Sequence, residues 1–159
     1  MKCRMQHRFF MASAMRTDVA EADAVALDGF DAQQVDMMAE AIILVDERDR
    51  RIGRASKVNA HRGVGALHRA FSVMLFDEDG RLLLQRRADD KITFPGIWAN
   101  TCCSHPLDVP EEREEADGLG VRRAAVRKLN QELGIETVSI DDLTYVGRFR
   151  YQARQDETW

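Results

Sequence analysis

The stretch Ala99-Asn-Thr-Cys-Cys-Ser-His-Pro106 places two thiols, a hydroxyl and an imidazole within four residues. A cysteine close to a histidine or a metal has its pKa readily lowered, so it can serve as a nucleophile or as an acid–base group. Two small buried hydrophobes beside a surface histidine is the bland alternative, and these residues alone leave both readings open. Of the four histidines, His61, His68 and His105 lie outside the N-terminal start that holds His7. Imidazole suits zinc, manganese or iron, and three such ligands leave positions for carboxylates. Their spacing matches no zinc-finger rule, and each taken singly also reads as a structural or surface residue. Basic residues concentrate in the same segments: Lys57, Arg86, Arg87 and Lys91, then Arg122, Arg123, Arg127 and Lys128. Such a set could bind a polyphosphate, Arg by bidentate contacts and Lys as a point charge. The alternative is a solvated surface balancing the 27 acidic residues.

Several elements must position these groups. Val121, Ala125, Leu129 and Leu133 recur every fourth residue, and Gly134 supplies a stop, which predicts a helix over Val121–Gly134. A shorter helical pattern covers Ala32–Ala39 and leads into Ala41-Ile-Ile-Leu-Val-Asp46, read as a strand that exits through the charged turn Glu47–Arg51. Leu67–Phe76 and Arg81–Arg87 flank Asp77-Glu-Asp-Gly80, a hairpin signal. The segment from Ala88 to about Gly118, with Pro95-Gly96 and the acidic cluster Glu111–Glu115, reads as a long loop, functional or disordered. Alternation of Leu143, Tyr145, Gly147, Phe149 and Tyr151 with Thr144, Val146, Arg148 and Arg150 predicts a strand with one buried face.

At 159 residues, with 45% hydrophobic and 31% charged residues, the chain suits one globular domain. Residues 1–30 read as a peripheral or disordered segment and 31–159 as the domain. The longest aliphatic run, Ile42–Val45, is far too short for a membrane span. A net charge of −4 gives no whole-protein footprint for nucleic acid. Three cysteines, Cys3 and the adjacent Cys102 and Cys103, make no disulfide framework and point to a reducing, cytoplasmic compartment. Met1–Arg16 carries Lys2, Arg4, Arg8 and Arg16 without an acid, so organelle targeting stays open.

Arg127-Lys-Leu-Asn-Gln-Glu-Leu-Gly134 is similar to the Nudix helix, whose pattern is Arg-Glu-x-x-Glu-Glu-x-Gly. Two of the three glutamate positions hold Lys128 and Gln131, and Glu132 alone remains. One carboxylate can hold one magnesium on a diphosphate, but it cannot assemble the cation cluster that hydrolysis at phosphorus requires. His68-Arg-Ala-Phe-Ser-Val73, Lys91-Ile-Thr-Phe-Pro-Gly96, Asn100-Thr-Cys-Cys-Ser-His-Pro106 and Gly120-Val-Arg-Arg-Ala-Ala125 closely resemble the eukaryotic type I isopentenyl-diphosphate isomerases, from about Gln33 to Trp159.

The resemblance implies an α/β (α+β) Nudix-like fold, a mixed sheet flanked by helices. It also implies interconversion of isopentenyl and dimethylallyl diphosphates in isoprenoid biosynthesis. Cys103 matches the catalytic cysteine and Tyr151 an active-site tyrosine, while Cys102 is read as a packing neighbour. His61, His68 and His105 match the ligands of a divalent metal (Zn2+, Mn2+ or Mg2+). Glu132 matches the carboxylate that holds Mg2+ on the substrate diphosphate, and Lys57, Arg87 and Lys91 match diphosphate contacts. Lys128 stands where related sequences usually carry Arg, which keeps the charge and loses the fork. The family continues with a Gly-Glu-x-Glu segment that supplies two more metal ligands, one also catalytic. This predicts a domain incomplete after Trp159, with the diphosphate clamp present and the activity weak or absent. A Nudix-type hydrolase and a module that only binds diphosphate are the alternatives; the partner in each is a small molecule, and the oligomeric state stays open.

Overall fold

The computed structural model describes residues 27–153 and residue 156. The basic Met1–Arg16 stretch, Cys3, His7 and most of the expected peripheral segment 1–30 lie outside the described residues. Leu27 is described, and it packs against the cluster of Val58 and Ile92.

Helix α1 (Ala32–Ala39) begins where the Asp31 carboxylate accepts the Gln34 amide at 3.1 Å, a side-chain N-cap. Strand β1 (Ala41–Val45) pairs antiparallel with β2 (Arg51–Ser56) from Ala41↔Ser56 to Val45↔Arg51. The turn between them closes on Asp46, whose carboxylate accepts the Arg48 and Arg50 amides, both at 2.9 Å. The other edge of β1 is also occupied. Arg69 donates its amide to Ile43 at 2.9 Å, Val45 donates to Leu67 at 3.1 Å, and Asp108 donates to Ala41 at 2.8 Å. A strand covered on both edges and both faces needs a continuous apolar run, and Ile42 and Ile43 are fully buried.

Ser56 ends β2 and caps the five-residue helix α2 (Lys57–His61), accepting the Asn59 amide at 3.2 Å. Neither β2 nor α2 is legible as a period, the first because of its charges and the second because it is barely one turn. The hairpin expected around Asp77–Gly80 is present, with Asp77 donating to Arg81 and Gly80 to Asp77, both at 3.0 Å. Its arms are much shorter than the runs that predicted them. Strand β3 is Phe71–Val73, and β4 (Gln85–Arg86) pairs with β5 (Trp98–Ala99). Between them the Thr101 hydroxyl accepts the Leu75 amide at 2.9 Å and donates to the Leu83 carbonyl at 2.7 Å, taking the place of a missing strand.

The region expected to be loop from Ala88 to Gly118 therefore contains two strands, β5 and β6 (Cys102–Ser104). Strand β6 pairs antiparallel with β3: Phe71↔Ser104, Ser72↔Cys103 and Val73↔Cys102. Helix α3 (Leu119–Leu133) follows a 3-10 turn and stops at Gly134, whose left-handed backbone (φ 65°) lets its amide cap the Asn130 carbonyl. Its Ala124, Ala125 and Leu129 pack on Phe71, Val73 and Cys102, forming the main core. The class is thus mixed α/β, with its described ladders antiparallel and arranged as three two-stranded sheets.

Residues 143–151 depart from expectation. They form no strand, and Tyr145, Val146, Phe149 and Tyr151 are exposed. Alternation alone does not make a strand; without a ladder among the described residues, the apolar face has nothing to bury against. Polar contacts hold the segment instead: Arg148 with Asp49 at 2.7 Å, Arg150 with Glu47 at 3.0 Å, and Gln152 Nε2 with the Val64 carbonyl at 2.8 Å.

Candidate active site

Successive residues of a strand face opposite ways, and this divides the two adjacent thiols. Cys102 points with Phe71 and Val73 toward α3 and is fully buried, while Cys103 lies on the other face beside Ser72, half-buried. Burial, and secondarily the nearby Glu132 carboxylate, push the Cys102 thiol up to about 12. Such a thiol is inert at neutral pH, as the packing role requires. The Cys103 sulfur sits 3.3 Å from the Ser72 hydroxyl. Although the Tyr151 side chain is largely exposed, partial desolvation, and secondarily charge on Cys103, raise its phenol above the usual value.

His105 follows β6, His61 ends α2 and His68 precedes β3, yet their rings meet. Centroid separations are 4.5 Å for His61–His68, 4.9 Å for His61–His105 and 5.0 Å for His68–His105. One ring nitrogen from each lies within 4.8 Å of those of the other two. The Nδ1 atoms of His61 and His68 face the carbonyl oxygens of Lys57 at 2.7 Å and Ala66 at 2.6 Å. A carbonyl only accepts, so both Nδ1 atoms carry the hydrogen and leave Nε2 a lone pair for a cation. Burial lowers the pKa of all three imidazoles, most strongly at His105, where charge on His61 and His68 adds to the effect. Three neutral imidazoles, two of them oriented by backbone carbonyls, are a donor set that fits a borderline divalent metal.

A cleft of about 530 Å³ lies beside this cluster. His61, Cys103, His105 and Glu132 line it, with Lys57, Arg87, Lys91 and Lys128 on its walls; His68 reaches it through the ring contacts. Most of the sequence candidates are thus brought to one cleft; His68 and Tyr151 are not among its lining residues. Lys57 and Lys128 are only 7% and 2% exposed, so both ammonium groups are held inside the protein. Lys128 Nζ contacts Glu132 Oε1 at 2.7 Å and Gln131 Oε1 at 3.1 Å. Arg87 spends its donors on the Thr93 and Phe94 carbonyls, at 2.6 Å and 2.9 Å, fastening the loop in which Phe94 has φ 49°.

Arg86 also lines the cleft, paired with Asp89 at 2.6 Å, whereas the three arginines of α3 are structural. Arg127 is clamped by Glu112 at 2.6 and 2.9 Å, Arg122 caps the Ile140 and Asp117 carbonyls, and Arg123 caps that of Glu111. None of the three lines the cleft. The sequence did not single out Glu112 or Ser72. Glu112 is buried and also accepts the Leu107 amide at 2.7 Å, tying α3 to the chain just after His105. Only its place within an acidic cluster could have flagged it, and Ser72 only its outward place between Phe71 and Val73.

Known proteins resemble this chain over most of its length. The chain is 54% identical over 141 residues to isopentenyl-diphosphate Delta-isomerase 1 of Bos taurus, covering 85% of this chain and 62% of that protein. It is 50% identical over 146 residues to an isopentenyl-diphosphate delta-isomerase of Aspergillus fumigatus, covering 86% and 52%. It is 48% identical over 160 residues to the chloroplastic isopentenyl-diphosphate Delta-isomerase II of Arabidopsis thaliana, covering 96% and 54%. The chain therefore spans somewhat over half the length of these curated relatives. A NUDIX domain matches residues 66–159, from just before His68 through α3 and beyond. With more than half of its length inside that match, this chain belongs to the NUDIX domain family.

Proposed function

We propose that this protein interconverts isopentenyl and dimethylallyl diphosphates by a 1,3-allylic proton shift, the activity named for its curated relatives. The observation that carries the reading is the gathering, at one cleft, of the Cys103 thiol, two histidines of a three-imidazole cluster and buried lysines. A hydrolytic reading is weaker, because Lys128 and Gln131 stand beside Glu132 where the Nudix pattern has carboxylates.

The shift forms a C–H bond at the terminal alkene carbon and breaks one at the methylene next to the diphosphate-bearing carbon. The double bond moves between them, and no electrons are gained or lost. An alkene is a poor base, so the cation-like transition state needs a positioned acid and a site that excludes water. Cys103 exchanges a proton on one face of the allyl unit. Tyr151 belongs to the other, where the resemblance puts a carboxylate partner. Lys57, Lys91 and Lys128 hold the diphosphate and orient the reacting carbons. Arg87 supports the same wall through Thr93 and Phe94.

His61, His68 and His105 would hold one divalent metal (Zn2+, Mn2+ or Mg2+), and Glu132 would hold Mg2+ on the diphosphate. Bound cations would supply positive charge against the diphosphate. The reading includes a small-molecule substrate and no nucleic acid partner. No helix among the described residues is long and apolar enough to cross a membrane. We place the protein in the cytoplasm; a leader in Met1–Arg16 would redirect it to an organelle, in keeping with the chloroplastic relative.

The test is isotope exchange. Purified protein, isopentenyl diphosphate and magnesium in deuterated water are followed by NMR. Deuterium entering C2 or C4 as dimethylallyl diphosphate appears supports isomerisation, and Cys103→Ala abolishes it. A folded protein that binds pyrophosphate without exchange would instead be a diphosphate-binding module.

A further inference from the structure

Lys57 is a buried cation with its counter-ion on the wrong side for a ligand. Its ammonium pairs with the Glu40 carboxylate, and its amide donates to the Glu40 carbonyl at 3.1 Å. Lys57 lines the cleft and Glu40 does not. On the cleft side Lys57 is joined by further cations, Lys128, Arg87 and Lys91, and Lys128 and, from outside the cleft, Arg127 both act on it electrostatically.

Glu40 is also poorly placed for its own helix. It is the C-cap of α1, where the helix dipole disfavours an anion. Its carboxylate is therefore not explained by helix stability, but it is explained by Lys57. An ammonium withdrawn from water requires an anionic partner, and in the free protein Glu40 supplies one.

We infer that Glu40 is the resting counter-ion of Lys57, and that a diphosphate entering the cleft takes over the ammonium, so that Glu40 sets the threshold for diphosphate binding. This rests on the proposed diphosphate site. It adds to that site a competing carboxylate on the protein itself. Exchange keeps the buried charge paired throughout and sets a bound diphosphate against a local rival.

The test is calorimetric titration with inorganic pyrophosphate of the full chain, Glu40→Gln, Lys57→Met and the double variant. Glu40→Gln, which keeps shape and removes charge, should tighten binding by about three- to tenfold. Lys57→Met should weaken it, and in that background the gain from Glu40→Gln should vanish, because the two residues act through one contact. Unchanged or weaker binding by Glu40→Gln overturns the inference. So does a gain that persists with Lys57→Met, which would reflect removal of a distant charge. If Glu40→Gln does not fold, Glu40→Asp, with a shorter reach, should tighten binding by a smaller factor in the same titration. If the wild-type protein binds no pyrophosphate, the diphosphate reading falls and this inference with it. If it binds through Lys57 but Glu40→Gln changes nothing, only the inference falls.

Discussion

Ser72 stands directly opposite Cys103 in the β3–β6 ladder, and its hydroxyl lies 3.3 Å from the thiol sulfur. Directly opposed side chains in an antiparallel pair share a face. The contact therefore orients Cys103 from the neighbouring strand, while Cys102, one residue away, is turned into the core.

The two thiols should differ sharply toward an alkylating reagent. With its pKa at about 12, Cys102 is ionised in only about one molecule in 10⁴ at pH 8. Iodoacetamide should label Cys103 in the native protein and reach Cys102 only on unfolding. Tandem mass spectrometry of the peptide containing both reads the ratio; equal native labelling would show that Cys102 is not sealed in the core.

Cobalt(II) should bind the histidine cluster at one site per chain. Replacing His61, His68 or His105 by Asn should weaken binding by at least about 100-fold, since loss of a mere outer partner already costs 10–100-fold. Competition with a coloured chelator measures this. Three substitutions that leave affinity intact would mean that the rings gather for packing alone.

The helix–loop contact at Gly120 should be intolerant of a methyl group. A Cβ there would lie 2.3 Å from the Glu112 carbonyl oxygen and 2.9 Å from the Glu114 nitrogen, both backbone atoms that cannot swing aside. Gly120→Ala should cost about 3 kcal/mol, lowering Tm by about 6–12 °C. Gly53→Ala, with nothing within 4 Å of the added carbon, is the control and should be close to neutral. Equal melting of the two variants would contradict the close approach.

The Arg51–Asp108 pair should make a measurable contribution to acid stability. Asp108 has a side chain 3% exposed and accepts Arg51 at 2.9 and 3.1 Å; that guanidinium holds its carboxyl below the usual value. In the interval between the folded and unfolded pKa values the unfolded chain binds more protons, so stability rises with pH there. The contribution is complete above the unfolded value of about 3.9 and is lost as pH falls through the folded one. Asp108→Asn should lose about 1 kcal/mol at pH 7 and show a flatter urea midpoint between pH 5 and acid; a dependence as steep as wild type would exclude the pair as its source.

How far the molecule can be read from its sequence depends on element length. Helix α3 repeats Val121, Ala125, Leu129 and Leu133 over four turns and is capped by Gly134, so its period is visible. Strand β6 has three residues and no period, which is why the Cys-Cys-Ser stretch read as loop. Residues 143–151 erred in the opposite direction: the alternation was present, and the partner ladder on which a strand depends is not found among the described residues. Chemical identity was more legible than geometry. The histidines, Cys103 and Lys57 could be named from their types and resemblance. Glu40 and Glu112 could not, because an acid that neutralises one particular buried base looks like any other acid until the fold brings them together.

The register of the short β3–β6 ladder decides which sulfur faces the cleft. Asn100 pins it, donating from one amide nitrogen to the Val73 and Cys102 carbonyls at 3.0 and 2.9 Å. Slippage by one residue inverts the facing of every side chain in a strand. In most sequences that error would replace the cleft-facing group with something unrelated. Here the neighbour is chemically identical, so a slipped strand would still offer a thiol to the cleft. The doublet acts as a repeated symbol in a message with a single point of synchronisation, and a parity error at that point leaves the sulfur legible.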